Sequence, residues 1–221
     1  LTPPQSQAFD VKRMETTKTI FIALAATVMA HTLLADPGPP SRKDLLSNLS
    51  NFDIQTNQWS LSKGVLSKNS PGYHGDELLV VKSHVVRISN WYSFGCSLVN
   101  VRQQNDKLPT AGLVFGFVNN KNYWSVTIGT ELSQPVVILS QVADGKLAFS
   151  TSIPGSFSAG LKKTTLRVEV HHQLWVKVYA NDSQVLTHKI SEEIAKGRIG
   201  LALQSGICGF SNVSIAGIAK R

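Results

Sequence analysis

Residues 165–179 read Thr-Leu-Arg-Val-Glu-Val-His-His-Gln-Leu-Trp-Val-Lys-Val-Tyr, two strictly alternating runs separated by a pair of histidines. A β-strand turns successive side chains to opposite faces, so a period of two marks a ribbon with one dry and one wet side. Leu166, Val168 and Val170 then face a core, while Arg167 and Glu169 face water. In the second run Leu174, Val176 and Val178 point one way, and Trp175, Lys177 and Tyr179 point the other. The chain reverses at His171-His172.

The same pattern extends in both directions. Residues 113–118 (LVFGFV) and 123–128 (YWSVTI) are rich in β-branched and aromatic side chains and flank Asn119-Asn120-Lys121-Asn122, which predicts a hairpin. Residues 136–142 and 146–151 flank Asp144-Gly145, two residues that accept the positive φ of a tight turn. Further strands are expected at 92–102, 184–190, 197–203 and 209–215. From residue 50 onward the one helical turn expected is 191–195, with a loop as its alternative, and no fixed repeat period appears. Short strands with turn residues between them describe an all-β chain folded as an antiparallel β-sandwich.

The chain of 221 residues is 42% hydrophobic and 16% charged, enough for a sizeable core in one domain. Lys and Arg number 22 against 14 acids, and most of that excess lies beyond residue 35. The bases are scattered singly, as at Lys63, Lys68, Lys82, Arg87, Arg102, Lys107 and Lys121; only Lys162-Lys163 and Lys220-Arg221 are adjacent. A phosphate-tracking protein gathers its cations on one stripe, so no nucleic-acid partner is expected.

Met14 is followed by Lys18 and then by residues 19–30 (TIFIALAATVMA), an apolar stretch too short to cross a bilayer and ending in small residues. That is the build of a signal peptide with a helical core over 14–35, cleaved after Ala30 or after Ala35; an uncleaved anchor is the competing reading. Residues 1–13 read as upstream translated sequence before a mis-called start, or as a source of extra positive charge at Lys12-Arg13. A Pro-rich spacer, 36–40 (DPGPP), opens a linker over 36–49, and the folded domain is expected over 50–218. The expected location is secreted, periplasmic or in the cell envelope, with no stable membrane insertion after cleavage.

Four places together resemble the concanavalin A-like, laminin G-like jelly-roll superfamily found in many extracellular bacterial proteins. They are Trp59-Ser-Leu-Ser-Lys-Gly64-Val-Leu66; Ala111-Gly112-Leu113-Val114-Phe115 running into Asn122-Tyr123-Trp124-Ser125-Val126; Thr165 to Val170 leading into Leu174 to Tyr179; and Gly197-Arg198-Ile199-Gly200-Leu201 with Phe210-Ser211-Asn212-Val213-Ser214-Ile215. The resemblance spans residues 50–218. It implies a jelly-roll lectin or glucanase sandwich, and it places the strands of Cys96 and Cys208 side by side. A disulfide between the two is one expectation in an exported protein, and two buried free thiols are the other.

The nearest enzymatic relatives that the resemblance brings in are the 3-keto-disaccharide hydrolases. Their central hairpin ends its first strand in Arg and carries Glu, Gln and Asp on the second; here Gly116 and Phe117 stand near the Arg place, and 124–129 (WSVTIG) holds no acid. The jelly-roll glucanases set their acids in a Glu-x-Asp-x-x-Glu run, which is absent. Asp76-Glu77 would send its two carboxylates to opposite faces of a strand, and a solvated turn is its expected home. His171-His172 lacks a third ligand at useful spacing, and no Gly-x-Ser-x-Gly elbow occurs. Calcium would have only Asn119, Asn120, Asn122 and nearby carbonyls, a weak set without a carboxylate. No other cofactor is implied.

Binding surface remains. Trp175 and Tyr179 flank Lys177 on the wet side of one strand, a platform on which sugar rings or another protein could stack. Asn122 and Tyr123, in the hairpin loop, form a second candidate. The expected function is a secreted, non-catalytic carbohydrate-binding or interaction module of laminin G-like type, with a glycan or a cell-surface protein as partner; the alternative is a glycoside hydrolase related to the 3-keto-disaccharide hydrolases.

Overall fold

In the computed structural model the two alternating runs become β11 (Lys163–His171) and β12 (Trp175–Ala180), paired antiparallel with Arg167 opposite Tyr179 and His171 opposite Trp175. The structure describes residues 42–54, 58–68, 77–86, 88–102, 108–155, 163–171, 175–190 and 197–218. The signal segment 14–35, residues 1–13, the spacer 36–40, Asp76, His172, Leu174 and the helical turn at 191–195 lie outside them.

Two antiparallel sheets stack as a sandwich. The eight-stranded sheet carries, in spatial order, β13 (Ser183–Lys189), β12, β11, β6 (Ile88–Arg102), β15 (Ile207–Ile218), β4 (Val65–Lys68) and β3 (Trp59–Ser62), with β1 (Lys43–Asp44) joined to a further stretch of β15. The seven-stranded sheet runs β10 (Lys146–Pro154), β9 (Gln134–Ala143), β8 (Asn122–Glu131), β7 (Ala111–Asn119), β14 (Arg198–Leu203), β5 (Glu77–Val81) and β2 (Phe52–Asp53). Both predicted hairpins form. The β9–β10 turn holds Asp144 and Gly145 at φ +52° and +77°, the left-handed pair that matches the twist of the strands it joins.

The dry sides of the two sheets meet. Phe94, Leu98, Leu166, Val168 and Phe210 from one sheet and Leu113, Phe115, Ile128, Leu139 and Leu201 from the other form one buried cluster. Each such side chain contributes roughly 1.5–3 kcal/mol by leaving water. The alternation in β11 holds throughout, with Leu166, Val168 and Val170 buried and Arg167, Glu169 and His171 partly exposed.

Two expectations change. Residues 43–49, read as the end of a linker, belong to the fold: β1 pairs with β15, and Leu45 and Leu46 are buried. Glu77 is not in a solvated turn either. It opens β5 and ion-pairs with Lys68 of β4, whose side chain is only 4% exposed, so the pair ties the two sheets together. An acid that meets a buried ammonium across a sandwich has no local sequence signature.

Tyr92 lies in the main cluster, wholly buried, and its hydroxyl has no hydrogen-bond partner among the described residues. Burial pushes its ionisation far above the ordinary phenol range. A buried, unpaired hydroxyl costs about 1–3 kcal/mol of desolvation. Tyr92→Phe is therefore expected to stabilise the protein by about 1 kcal/mol, read as a higher urea midpoint at unchanged slope. A lower midpoint would show that the hydroxyl has a partner in solution.

Candidate functional site

The wet side of the eight-stranded sheet carries the site, and pairing register builds it. Tyr179 of β12 stands opposite Arg167 of β11, Arg167 opposite Gly95 of β6, Gly95 opposite Ser214 of β15, and Ser214 opposite Asp44 of β1. This row across five strands has a side chain at every place except the centre. A cavity of about 630 Å³ opens there, with Tyr179 and Arg167 on one side of Gly95 and Ser214, Asp44 and Arg42 on the other. A Cβ at Gly95 would lie 3.0 Å from the Leu166 carbonyl oxygen and 3.4 Å from Arg167 Cβ, so the missing side chain is what leaves the floor open.

One wall is held rigid. The Arg167 guanidinium sits 3.7 Å from the Tyr179 ring centroid and ion-pairs with Glu169. The Tyr179 hydroxyl donates to Glu169 Oε2 at 3.0 Å, and His171 Nε2 lies 3.4 Å from that same oxygen. Desolvation, together with the Glu169 carboxylate, holds the Tyr179 phenol above its ordinary range, with Arg167 pulling the other way. The phenol is therefore neutral at physiological pH and keeps its proton to donate. On the opposite wall Arg42 Nε donates to Ser214 Oγ at 2.7 Å, and Asp44 Oδ1 accepts from the Leu46 N–H at 2.9 Å. In the next row Asn212 Nδ2 donates to Ser97 Oγ at 3.2 Å. Such a lining offers donors and acceptors on both sides of an open floor, which suits a ligand whose groups both donate and accept.

Asp44 and Asp182 both line this cavity. Asp44 stands on β1, whereas Asp182 lies in the turn after β12, and β1 and β12 are four strand spacings, roughly 19 Å, apart. Paired glycosidase carboxyls act about 5–9.5 Å apart. The arrangement gives two acids that flank a ligand from opposite sides, not two that share one bond.

Trp175, Lys177 and Tyr179 face outward as the alternation predicts, and Tyr179 reaches the cavity. Lys177 and Trp175 follow along the same face, Trp175 with 45% of its surface exposed. The hairpin candidate does not hold. Tyr123 is 2% exposed and packs against Phe117, ring centroids 6.3 Å apart, in a separate cluster with Val80 and Val114 on the other sheet. Asn122 is engaged in its own turn: its Oδ1 accepts from the Asp144 N–H at 3.1 Å and its Nδ2 donates to Asn119 Oδ1 at 3.2 Å. Asn119 Oδ1 also accepts from the Lys121 N–H. Among the described residues no three His, Cys, Asp or Glu side chains come together as metal ligands.

The disulfide is not formed. Cys96 and Cys208 are buried free thiols, and burial pushes Cys208 up to about 12 and Cys96 higher still. Their strands do pair, but with Leu98 opposite Phe210. Each cysteine precedes its member of that pair by two residues. In an antiparallel ladder these offsets add, leaving the two roughly 13 Å apart along the strands, against the ~7 Å between Cα atoms that a bridge tolerates.

Arg42, Asp44, Gly95, Ser97 and Asn212 were not anticipated from the sequence. The usable signal was Gly95, a lone glycine inside a strand between Phe94 and Cys96, which marks a close approach of something to the backbone.

No protein-family model and no curated protein matches the chain. Solved structures do. The carbohydrate-binding module CBM66 from Bacillus subtilis is similar over 75% of this chain and 95% of its own, with a TM-score of 0.60 at 16% identity. The carbohydrate recognition domain of Emp46p, in its potassium-bound form, covers 80% of this chain and 96% of its own, with a TM-score of 0.56 at 13% identity. The Bacteroides ovatus xyloglucan PUL GH43B gives 0.54 at 15% identity, over 80% of this chain and 37% of that longer one. The likeness is one of fold: two antiparallel sheets packed as a β-sandwich, as in these structures.

Proposed function

We propose that the chain is an exported, non-catalytic carbohydrate-binding module of laminin G-like type, which seats a sugar in the cavity over Gly95. The observation that carries this reading is the gap at Gly95, walled by Tyr179 and Arg167 on one side and Ser214 and Asp44 on the other. A sugar ring presents hydroxyls at its rim and C–H groups on its faces. The lining meets the first with a guanidinium, hydroxyls and a carboxylate, and the bare backbone at Gly95 lets the ring come close. That two solved neighbours are named for carbohydrate binding or recognition agrees with this reading. The separation of Asp44 from Asp182 speaks for binding without hydrolysis. Export through residues 14–35 would bring the module to a glycan outside the cell or in its envelope, free or borne by a surface protein.

Glycan-array screening and affinity electrophoresis of the full chain test the proposal. Retention on at least one polysaccharide is expected, without release of reducing sugar. Arg167→Ala, which uncovers one face of Tyr179 and leaves Glu169 without its cation, is expected to weaken retention about tenfold, the scale of a central contact worth more than 1 kcal/mol. Failure to bind any polysaccharide would end this reading.

A further inference from the structure

We infer that the site continues from the Gly95 cavity along the sheet to Trp175, and so takes an oligosaccharide chain rather than a single sugar; this rests on the carbohydrate-binding reading above. The register sets three outward rows in succession: Tyr179, Arg167 and Gly95, then Lys177, Glu169 and Ser93, then Trp175, His171 and Trp91. Successive rows lie two residues apart on each strand, so the first and third are separated by roughly 13 Å. A lone sugar ring does not bridge that distance. A short chain lying along β12 does.

The third row has its own reason to meet a ligand. Among the described residues four large hydrophobic side chains are exposed: Val118, Leu132, Leu147 and Trp175. Val118 and Leu132 lie at or beside the hairpin turns that flank β8, and Leu147 lies on the edge strand β10, all in the seven-stranded sheet. Trp175 is the aromatic one, and it alone lies on the face that carries the cavity. Beside it His171 meets Trp91 edge-on, ring centroids 6.2 Å apart, and His171 is held from behind by Glu169. An indole left open next to a fixed aromatic pair is a stacking surface for the apolar face of a sugar. Lys177, in the row between, supplies an ammonium to the hydroxyls of a chain passing over it.

The full chain is titrated calorimetrically with cello-, xylo-, manno- and fructo-oligosaccharides, each from monosaccharide to hexasaccharide. In a ladder that binds, affinity is expected to rise between disaccharide and tetrasaccharide. Trp175→Ala is expected to remove roughly three- to tenfold of the hexasaccharide affinity, the worth of one aromatic stacking contact. Its disaccharide affinity and melting temperature should match the parent. Fluorescence of the unsubstituted chain is a second reading. Trp59 and Trp124 are buried, so an emission shift with tetrasaccharide and none with disaccharide is expected. Equal affinity at every length, or parental hexasaccharide binding by Trp175→Ala, overturns the extended site and leaves the cavity reading standing. Binding to none of the ladders overturns the cavity reading, and the extension falls with it.

Discussion

Replacing Gly95 with valine is expected to lower glycan affinity by about a hundredfold or more while the protein stays folded. The new side chain would stand on the wet side of β6, in the middle of the row formed by Tyr179, Arg167, Ser214 and Asp44. It would fill the floor of the cavity, and every contact that depends on a ring lying against bare backbone would be lost together. A hundredfold corresponds to about 2.7 kcal/mol, the loss expected when a ligand is displaced from its seat and not merely deprived of one contact. The fold should tolerate the change. Valine favours strands, and the nearest atom to a Cβ at this position is the Leu166 carbonyl oxygen at 3.0 Å, a tight but local contact. Thermal melting is measured beside the binding isotherm. If Gly95→Val melts like the parent and binds like the parent, the cavity is not the binding site.

Phe210→Ala is expected to cost about 3–5 kcal/mol, as for other fully buried phenylalanines. Phe210 is 0% exposed, stands between Leu66 and Leu98 on the neighbouring strands, and lies 6.2 Å from the Trp59 ring between centroids. Its strand, β15, sits between β6 and β4 in the interior of the sheet, so the hole left by the ring cannot close by moving an edge. At about 2–4 °C per kcal/mol for a domain of this size the melting temperature should fall by roughly 6–20 °C. A shift of the denaturant midpoint at constant slope checks it. A loss below about 1 kcal/mol would mean that the dry face of β15 has been assigned to the wrong side.

The sandwich was legible because period-two alternation is written residue by residue. In β11 and β12 one face is core and the other is water, so the pattern names both the strand and its orientation, and Trp175, Lys177 and Tyr179 came out on the correct side. Tyr123 did not, for a physical reason. In β8 Trp124, Val126 and Ile128 alternate with Ser125 and Thr127, so the side that carries Tyr123 reads as wet, yet the strand is buried on both faces from Tyr123 to Gly129 and that side is covered. Register is a different kind of information again. The cysteine strands are neighbours, as the family resemblance implied, yet the offset along the ladder keeps the thiols apart. Most of the cavity was invisible for the same cause. Asp44, Gly95, Tyr179 and Ser214 are scattered along the chain and meet only because four separate pairings line them up. Single-strand patterns carry no record of which residues will stand opposite each other. Glu77 and Lys68 repeat the point across the gap between the sheets.

The interior place of β15 also bears on the order in which the molecule can be made. Its partners β4 and β6 are synthesised more than a hundred residues earlier and are not hydrogen-bonded to each other in the finished sheet. Until β15 emerges, the two parts of that sheet have nothing to join them, and the most distant contacts must form last and slowly.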